Sequence, residues 1–187
     1  MPDEHAISRR QLGAMVAGLA LAPLAPGAAH AAAPAPAPGL DYVFDLDVQV
    51  GPAQELGEYG GGRRRVIPIT GGALRGPGLN GVVLPGGADW QTLRPDGLTL
   101  LQARYTIRMD EGSVIGVINT GVRRAAPAIA RRLAAGEIVD PALYYFRATP
   151  VFEVGVGGPW QWLAESLFVS AGERLPELVR LKVYKVG

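Results

Sequence analysis

Asp89, Tyr105 and Arg147 are the side chains whose types suit joint chemistry: a carboxylate to take a proton, and a phenol and guanidinium to hold the developing charge. Asp89 sits in Asp89-Trp90-Gln91, which reads as a polar-aromatic loop among glycines. An apolar neighbour there would raise its pKa toward catalytic use; the competing reading is an aspartate that caps its own turn. Tyr105 shares a strand face with Leu101, Ala103, Ile107 and Met109, so its phenol points inward, toward a ligand or toward a backbone carbonyl. Asn119 shares a face with Ile115 and Val117 and is either a polar group in an apolar lumen or the mark of a strand bend. Arg147, Thr149 and Glu153 share one face, but six residues of strand separate Arg147 from Glu153 by roughly 20 Å, so Arg147 needs a carboxylate from another strand. Arg104 lies with Gln102 and Thr106 on a polar face, as a solvated arginine or a subunit contact. Trp160 and Trp162 follow Gly157-Gly158-Pro159, where they either close a ligand mouth or pack over a barrel end. The expectation is that Asp89, Tyr105, Arg147 and Asn119 converge on one cavity, walled by Trp90 or Trp162, with Glu153 and Arg104 as further binding candidates.

What is missing narrows the chemistry further. The chain has no cysteine, and its two histidines, His5 and His30, precede the expected cleavage site described below. A mature protein without Cys or His has no Ser-His-Asp arrangement, no thiol nucleophile, no usual zinc site and no iron–sulfur ligands. A metal held by oxygen donors alone would be Mg or Ca rather than Zn or Cu. Only Lys182 and Lys185 are available for a Schiff base. The glycines between residues 71 and 87 lack the Gly-x-x-x-x-Gly-Lys-Ser/Thr order of a phosphate loop, and no long helix follows them. No metal and no cofactor is therefore expected. Two readings stand: an isomerase-, lyase- or cyclase-like enzyme moving protons on a small organic molecule, or a barrel that binds such a molecule without turnover.

The elements that must position these groups begin after residue 39. Residues 1–31 read as a signal peptide: Ser8-Arg9-Arg10 precedes an apolar run from Leu12 to Leu24, and Ala29-His30-Ala31 supplies a small-x-small cleavage pattern. The paired arginines point to twin-arginine export, and an ordinary secretory signal is the alternative; either makes the product periplasmic or secreted. The run is too short to leave a stable membrane span. Residues 32–39 form an Ala/Pro linker, and residues 40–187 one domain, long enough for a core and built without disulfides. A formal net charge of +1 gives no electrostatic footprint for nucleic acid.

Leu40 to Val50 alternates apolar and polar residues in strict period two, the pattern of a half-buried strand. Further strands are expected over Arg63–Thr70, Leu79–Leu84, Leu98–Met109, Ser113–Val122, Leu143–Glu153, Leu167–Ser170 and Leu178–Val186. Pro68 marks an edge, bulge or rim. One short helix, Pro127 to about Ala135, has proline in its first turn and Gly136 beyond its end. About eight strands and one short helix predict an all-β fold, a single antiparallel barrel.

Several ordered motifs carry a resemblance: Ile69-Thr70-Gly71-Gly72, Gly76-Pro77, Leu84-Pro85-Gly86-Gly87-Ala88-Asp89-Trp90, Ala103-Arg104-Tyr105, Asn119 with Gly121, and Tyr144-Tyr145-Phe146-Arg147 before Thr149-Pro150. With Phe152-Glu153 and Trp162-Leu163 they resemble the bacterial and fungal family catalogued as domain of unknown function 3237, over nearly the whole mature domain. The resemblance implies a small antiparallel β-barrel that self-associates as a homodimer or higher homo-oligomer, and no particular reaction. The chain departs from the family pattern at Gln102, where an acid is expected, and at Ala164, where asparagine is expected.

Overall fold

The computed structural model describes residues 37–187. The expected signal peptide, residues 1–31, and most of the linker, residues 32–39, lie outside the described residues. Ten strands follow: β1 (Leu40–Val50), β2 (Gln54–Tyr59), β3 (Gly62–Gly76), β4 (Leu79–Val83), β5 (Gly87–Leu93), β6 (Leu98–Met109), β7 (Val114–Ala125), β8 (Tyr144–Glu153), β9 (Phe168–Leu175) and β10 (Leu178–Val186). All pair antiparallel. The path β1-β10-β9-β8-β7-β6 continues through β4 and β5 to β3, and β3 returns to β1. The result is a closed antiparallel barrel with eight strand positions.

The expected count of about eight strands thus holds for the closed wall, and the two extra strands have physical explanations. All six residues of β2 are exposed, so Gln54–Tyr59 carries no inward-outward alternation to read. Its pairing with Gly62–Val66 holds it in place, and a bulge between Glu55 and Gly57 breaks its free edge. The second is β5. Asp89-Trp90-Gln91 was expected as a loop, but it is the middle of a strand held on both sides, by β3 through Ile67↔Asp89 and by β6 through Asp89↔Ala103.

The fifteen residues of β3 make this economical. The half before Ile69 pairs with β2 and β5, and the half after it pairs with β1 and β4. The change of partners falls beside Pro68, whose missing N–H suits a break in the ladder, and at a register shift between Gln49 and Val50. Gly72, at φ 137°, lies so close to β1 that a Cβ there would sit 2.0 Å from the Asp47 carbonyl oxygen.

The helix α1 spans Pro127–Ala134, with Arg131 and Arg132 in its last turn, where cations suit the helix dipole. A one-turn helix α2 (Gln161–Ala164) and a 3-10 turn (Pro141–Leu143) were not expected; both are too short to show a helical period.

The interior divides into two halves. At the end where β6 turns into β7, Phe44, Phe152 and Phe168 meet edge to face, at 5.9 Å and 5.1 Å between centroids. Trp162 of α2 packs against Phe168 at 6.0 Å, and Leu163 is buried below it. This end is filled. The polar side chains of the interior lie in the other half.

Candidate functional site

Strand parity delivers the site. On β6, odd positions point inward and bury Leu101, Tyr105, Ile107 and Met109. On β7, Ile115, Val117 and Asn119 do the same, and on β5 it is Asp89 and Gln91 that face the interior. Asp89, Gln91, Tyr105, Asn119 and Arg123 therefore line one internal cavity of ≈ 40 Å³, walled otherwise by apolar side chains such as Val48, Ile69 and Phe146. That space suffices for a few water-sized groups.

The cavity's polar groups are held differently. One Asp89 carboxylate oxygen accepts from Gln91 Nε2 at 2.6 Å, the other from the Gln102 backbone N–H at 3.1 Å. Gln91 is oriented in turn because Arg65 Nε and Nη2 donate to its Oε1 at 2.9 and 2.8 Å. Burial raises the Asp89 pKa above its ordinary value; the bonds from Gln91 and Gln102 and the charges of Arg123 and Arg65 oppose that rise without cancelling it. Tyr105 is 4% exposed and Asn119 7% exposed, and among the described residues neither the Tyr105 hydroxyl nor Asn119 Oδ1 has a hydrogen-bond partner. Burial, and then the charge of Asp89, push the Tyr105 pKa up, so the phenol stays protonated and its hydroxyl is free to donate.

Outward from this cavity the barrel opens into a second, larger one. It holds ≈ 370 Å³ and shares Val50 and Arg123 with the first. Arg65 of β3, Arg123 of β7 and Arg174 of β9 converge there, and α1 adds Ala130, Leu133 and Ala134 to the wall. Desolvation, then repulsion from Arg65 and Arg174, lowers the Arg123 pKa to about 10. Arg65 and Arg174 are lowered too, chiefly by burial. Among the described residues none of these three arginines has a carboxylate within ion-pairing distance.

Asp89, Tyr105 and Asn119 are thus brought together, and Arg147 is not. The strand β8 alternates buried and exposed without a break, and its even positions, Tyr144, Phe146, Ala148 and Phe152, are the buried ones. Arg147 therefore points outward, donates to the Phe146 carbonyl at 2.8 Å and lies over the Tyr145 ring. Glu153 is on the same outer face, and its partner is Arg104 of β6 at 3.2 Å. Arg104 is an outer-face residue, as its polar neighbours indicated. Trp90, 46% exposed, and Arg147 both line a shallow outer groove of ≈ 820 Å³. Trp162 closes the aromatic end, away from Asp89, so neither tryptophan walls the inner cavity.

Sequence reasoning missed Arg65, Gln91, Arg123 and Arg174, yet the signal was present. Arg123 has the parity of Ile115, Val117 and Asn119; Arg174 that of Phe168 and Ser170; Arg65 that of Ile67 and Ile69. An arginine at an inward position goes against the preference of charge for water, which is why counting past the apolar run stopped short.

The comparisons agree with this architecture. The profile described as "Protein of unknown function (DUF3237)" matches residues 38–186. A UPF0311 protein of Rhodopseudomonas palustris is 43% identical over 145 residues, covering 78% of this chain and 94% of the relative. A UPF0311 protein of Clostridium acetobutylicum is 46% identical over 126 residues, covering 67% and 79%. Among solved structures, the R. palustris protein of unknown function superposes with TM-score 0.78 at 42% identity, covering 82% of this chain and all of that one. A beta-barrel like protein from Acinetobacter baumannii gives TM-score 0.71 at 34% identity, over 82% and 99%. An enzyme from Penicillium herquei, 21% identical, shares the fold at TM-score 0.63 over 83% and 98% of the two chains. With its profile match spanning the whole barrel and relatives above 40% identity, the chain belongs to the DUF3237 family.

Proposed function

We propose that this exported barrel acts on a small organic molecule by proton transfer at Asp89, without a cofactor. One observation carries the reading: a carboxylate with a raised pKa lines the same small cavity as a phenol whose hydroxyl has no other partner among the described residues. A general base works best with a pKa near the working pH, and burial moves Asp89 in that direction. Asp89 takes a proton from a carbon next to a carbonyl, the electron pair moves onto the carbonyl oxygen, and Tyr105 donates a hydrogen bond to the enolate so formed. Return of the proton to the same or a neighbouring carbon completes an exchange or an isomerisation. Arg65, through Gln91, fixes the carboxylate's orientation.

The test is exchange of carbon-bound protons for deuterium in heavy water, followed by proton NMR over a panel of small oxo acids and ketones. The protein should accelerate exchange for at least one compound, and Asp89→Asn should reduce that rate by about a hundredfold or more. The rate should fall as pH drops through the raised Asp89 pKa, an acid limb above the ordinary value of about 4. No exchange with any panel member, or full exchange by Asp89→Asn, defeats the proposal.

A second reading, binding without turnover, is favoured by the small inner cavity and its mostly apolar wall. Saturable binding of a panel compound with no exchange would select it.

A further inference from the structure

The barrel's open end gathers charged groups that the fold alone does not explain. Three half-buried arginines from three strands, Arg65, Arg123 and Arg174, line one cavity; the half-buried carboxylate Asp89 influences all three, and Glu55 acts on Arg65 more strongly still. The arginine-lined end has other charged neighbours. Arg63 is engaged with Glu55 at 3.4 Å, and Glu177 stands on the wall without forming an ion pair with any of the three. Two of the arginines are partly occupied. Arg65 spends Nε and Nη2 on Gln91, and Arg174 Nη1 reaches the Leu178 carbonyl at 3.4 Å. Arg123 makes no side-chain hydrogen bond among the described residues, although a guanidinium carries five donors in a fixed fork.

Charges withdrawn from water are ordinarily paired, because desolvation costs several kcal/mol otherwise. Like charges brought together add to that cost. A fold that stabilised only itself would carry apolar side chains at these positions. The second, independent observation is orphaned polarity: the Tyr105 hydroxyl and Asn119 Oδ1, each on a side chain more than nine-tenths buried, lie in the cavity that Arg123 also lines.

We propose that the arginine-lined end is the recognition subsite for an oxyanion of the ligand, a carboxylate or a phosphate, with Arg123 as its principal donor. This rests on the reading of the barrel interior as the site and names the class of molecule it takes: a small organic acid or phosphate ester. The anionic group lies in the ≈ 370 Å³ outer cavity, at the small end of ligand pockets, and its neighbouring carbon or carbonyl group reaches inward past Arg123 to Asp89 and Tyr105. Guanidinium suits both oxyanions because its planar fork donates two parallel bonds. Arg174 and the free end of Arg65 supply further donors, so a neutral analogue of the same shape gains little.

The experiment is calorimetric titration of the purified full chain at constant ionic strength with sodium succinate, inorganic phosphate and uncharged succinamide, paired with melting curves. Saturable binding of succinate or phosphate, with none of succinamide, is the expected result; which anion binds distinguishes a carboxylate from a phosphate ligand. Arg123→Gln and Arg174→Gln should each weaken it at least tenfold while still melting cooperatively, and Arg108→Gln, on the outer face, should leave it unchanged. Asp89→Asn should bind the anion several-fold more tightly, because a negative charge has left the site. Absence of saturable binding of either anion, equal binding by Arg123→Gln, or binding of succinamide as tight as that of succinate overturns the inference. Anion binding and proton exchange fail separately: a protein that exchanges protons but ignores both anions refutes the subsite alone. One that binds an anion through Arg123 but exchanges nothing refutes the proton-transfer reading alone.

Discussion

Tyr105 carries a buried hydroxyl that no group among the described residues satisfies, and such a hydroxyl costs the folded state free energy. Substitution by phenylalanine removes one oxygen and leaves the ring packed against the same neighbours. Tyr105→Phe should therefore melt at or above the wild-type temperature, with stability raised by up to about 1 kcal/mol, while ligand binding or exchange weakens. A clear loss of stability in thermal or denaturant unfolding would mean that the hydroxyl is tied into the fold. Asp89 works against stability in a pH-dependent way. Its folded pKa is raised, so the folded protein holds a proton that the unfolded chain has released, and stability declines as pH rises from the ordinary carboxylate value through the raised one. At this scale the sequence was legible wherever parity and polarity agreed, as for Tyr105 and the outward Arg104. It misled at Arg147, where chemical suitability outweighed the plain fact that Tyr144, Phe146 and Phe152 occupy the inward parity of that strand. Arg123 shows the converse, an inward parity overlooked because the residue is charged.

At the scale of elements, β5 decides the site, because it carries both Asp89 and Gln91 inward while filling the gap between β3 and β6. Its first residue, Gly87, lies against β6 so closely that a Cβ would stand 2.5 Å from Tyr105 Cβ and 2.6 Å from the Arg104 carbonyl oxygen. Backbone cannot yield as a flexible side chain can, so Gly87→Ala must push the two strands apart. The expected cost is about 2 kcal/mol or more, read by denaturant unfolding, with loss of any ligand response because Asp89 moves with its strand. A variant as stable as wild type would show that the two strands separate easily there. The sequence of β5 resisted reading for a physical reason. Gly86-Gly87 and the turn at Arg94-Pro95-Asp96-Gly97 bracket a segment whose middle, Asp89-Trp90-Gln91, has polar residues inward and the tryptophan outward, so period two is inverted in polarity there. In β1 and β8 the buried inward residues are apolar, and in β6 all but Thr99 are, so those strands stood out at once.

At the scale of the whole molecule, closure rests on β1, which pairs with β10 along nine positions and with β3 along six. A chain ending after Glu177 lacks β10 and exposes two edges where the wall had none. It should lose the single cooperative melting transition and aggregate on concentration, checked by circular dichroism and light scattering. Retention of a sharp transition would mean that the remaining strands close without it. That the fold is a barrel followed from strand count and spacing. That one half is solid and the other polar did not, because it depends on where each inward residue falls along the barrel axis, and that depends on strand stagger, which no local pattern records.

The packed Phe44–Phe152–Phe168 cluster has a bearing on traffic. With Trp162 and Leu163 closing that end, the interior is a blind alley rather than a tunnel. On the proposed reading, a molecule reaching Tyr105 would arrive past Arg123, which lines both cavities, and would leave the same way. If the proposed proton transfer takes place there, product and substrate would compete for one doorway, and a charge gained or lost in the reaction would set which of them the arginines detain.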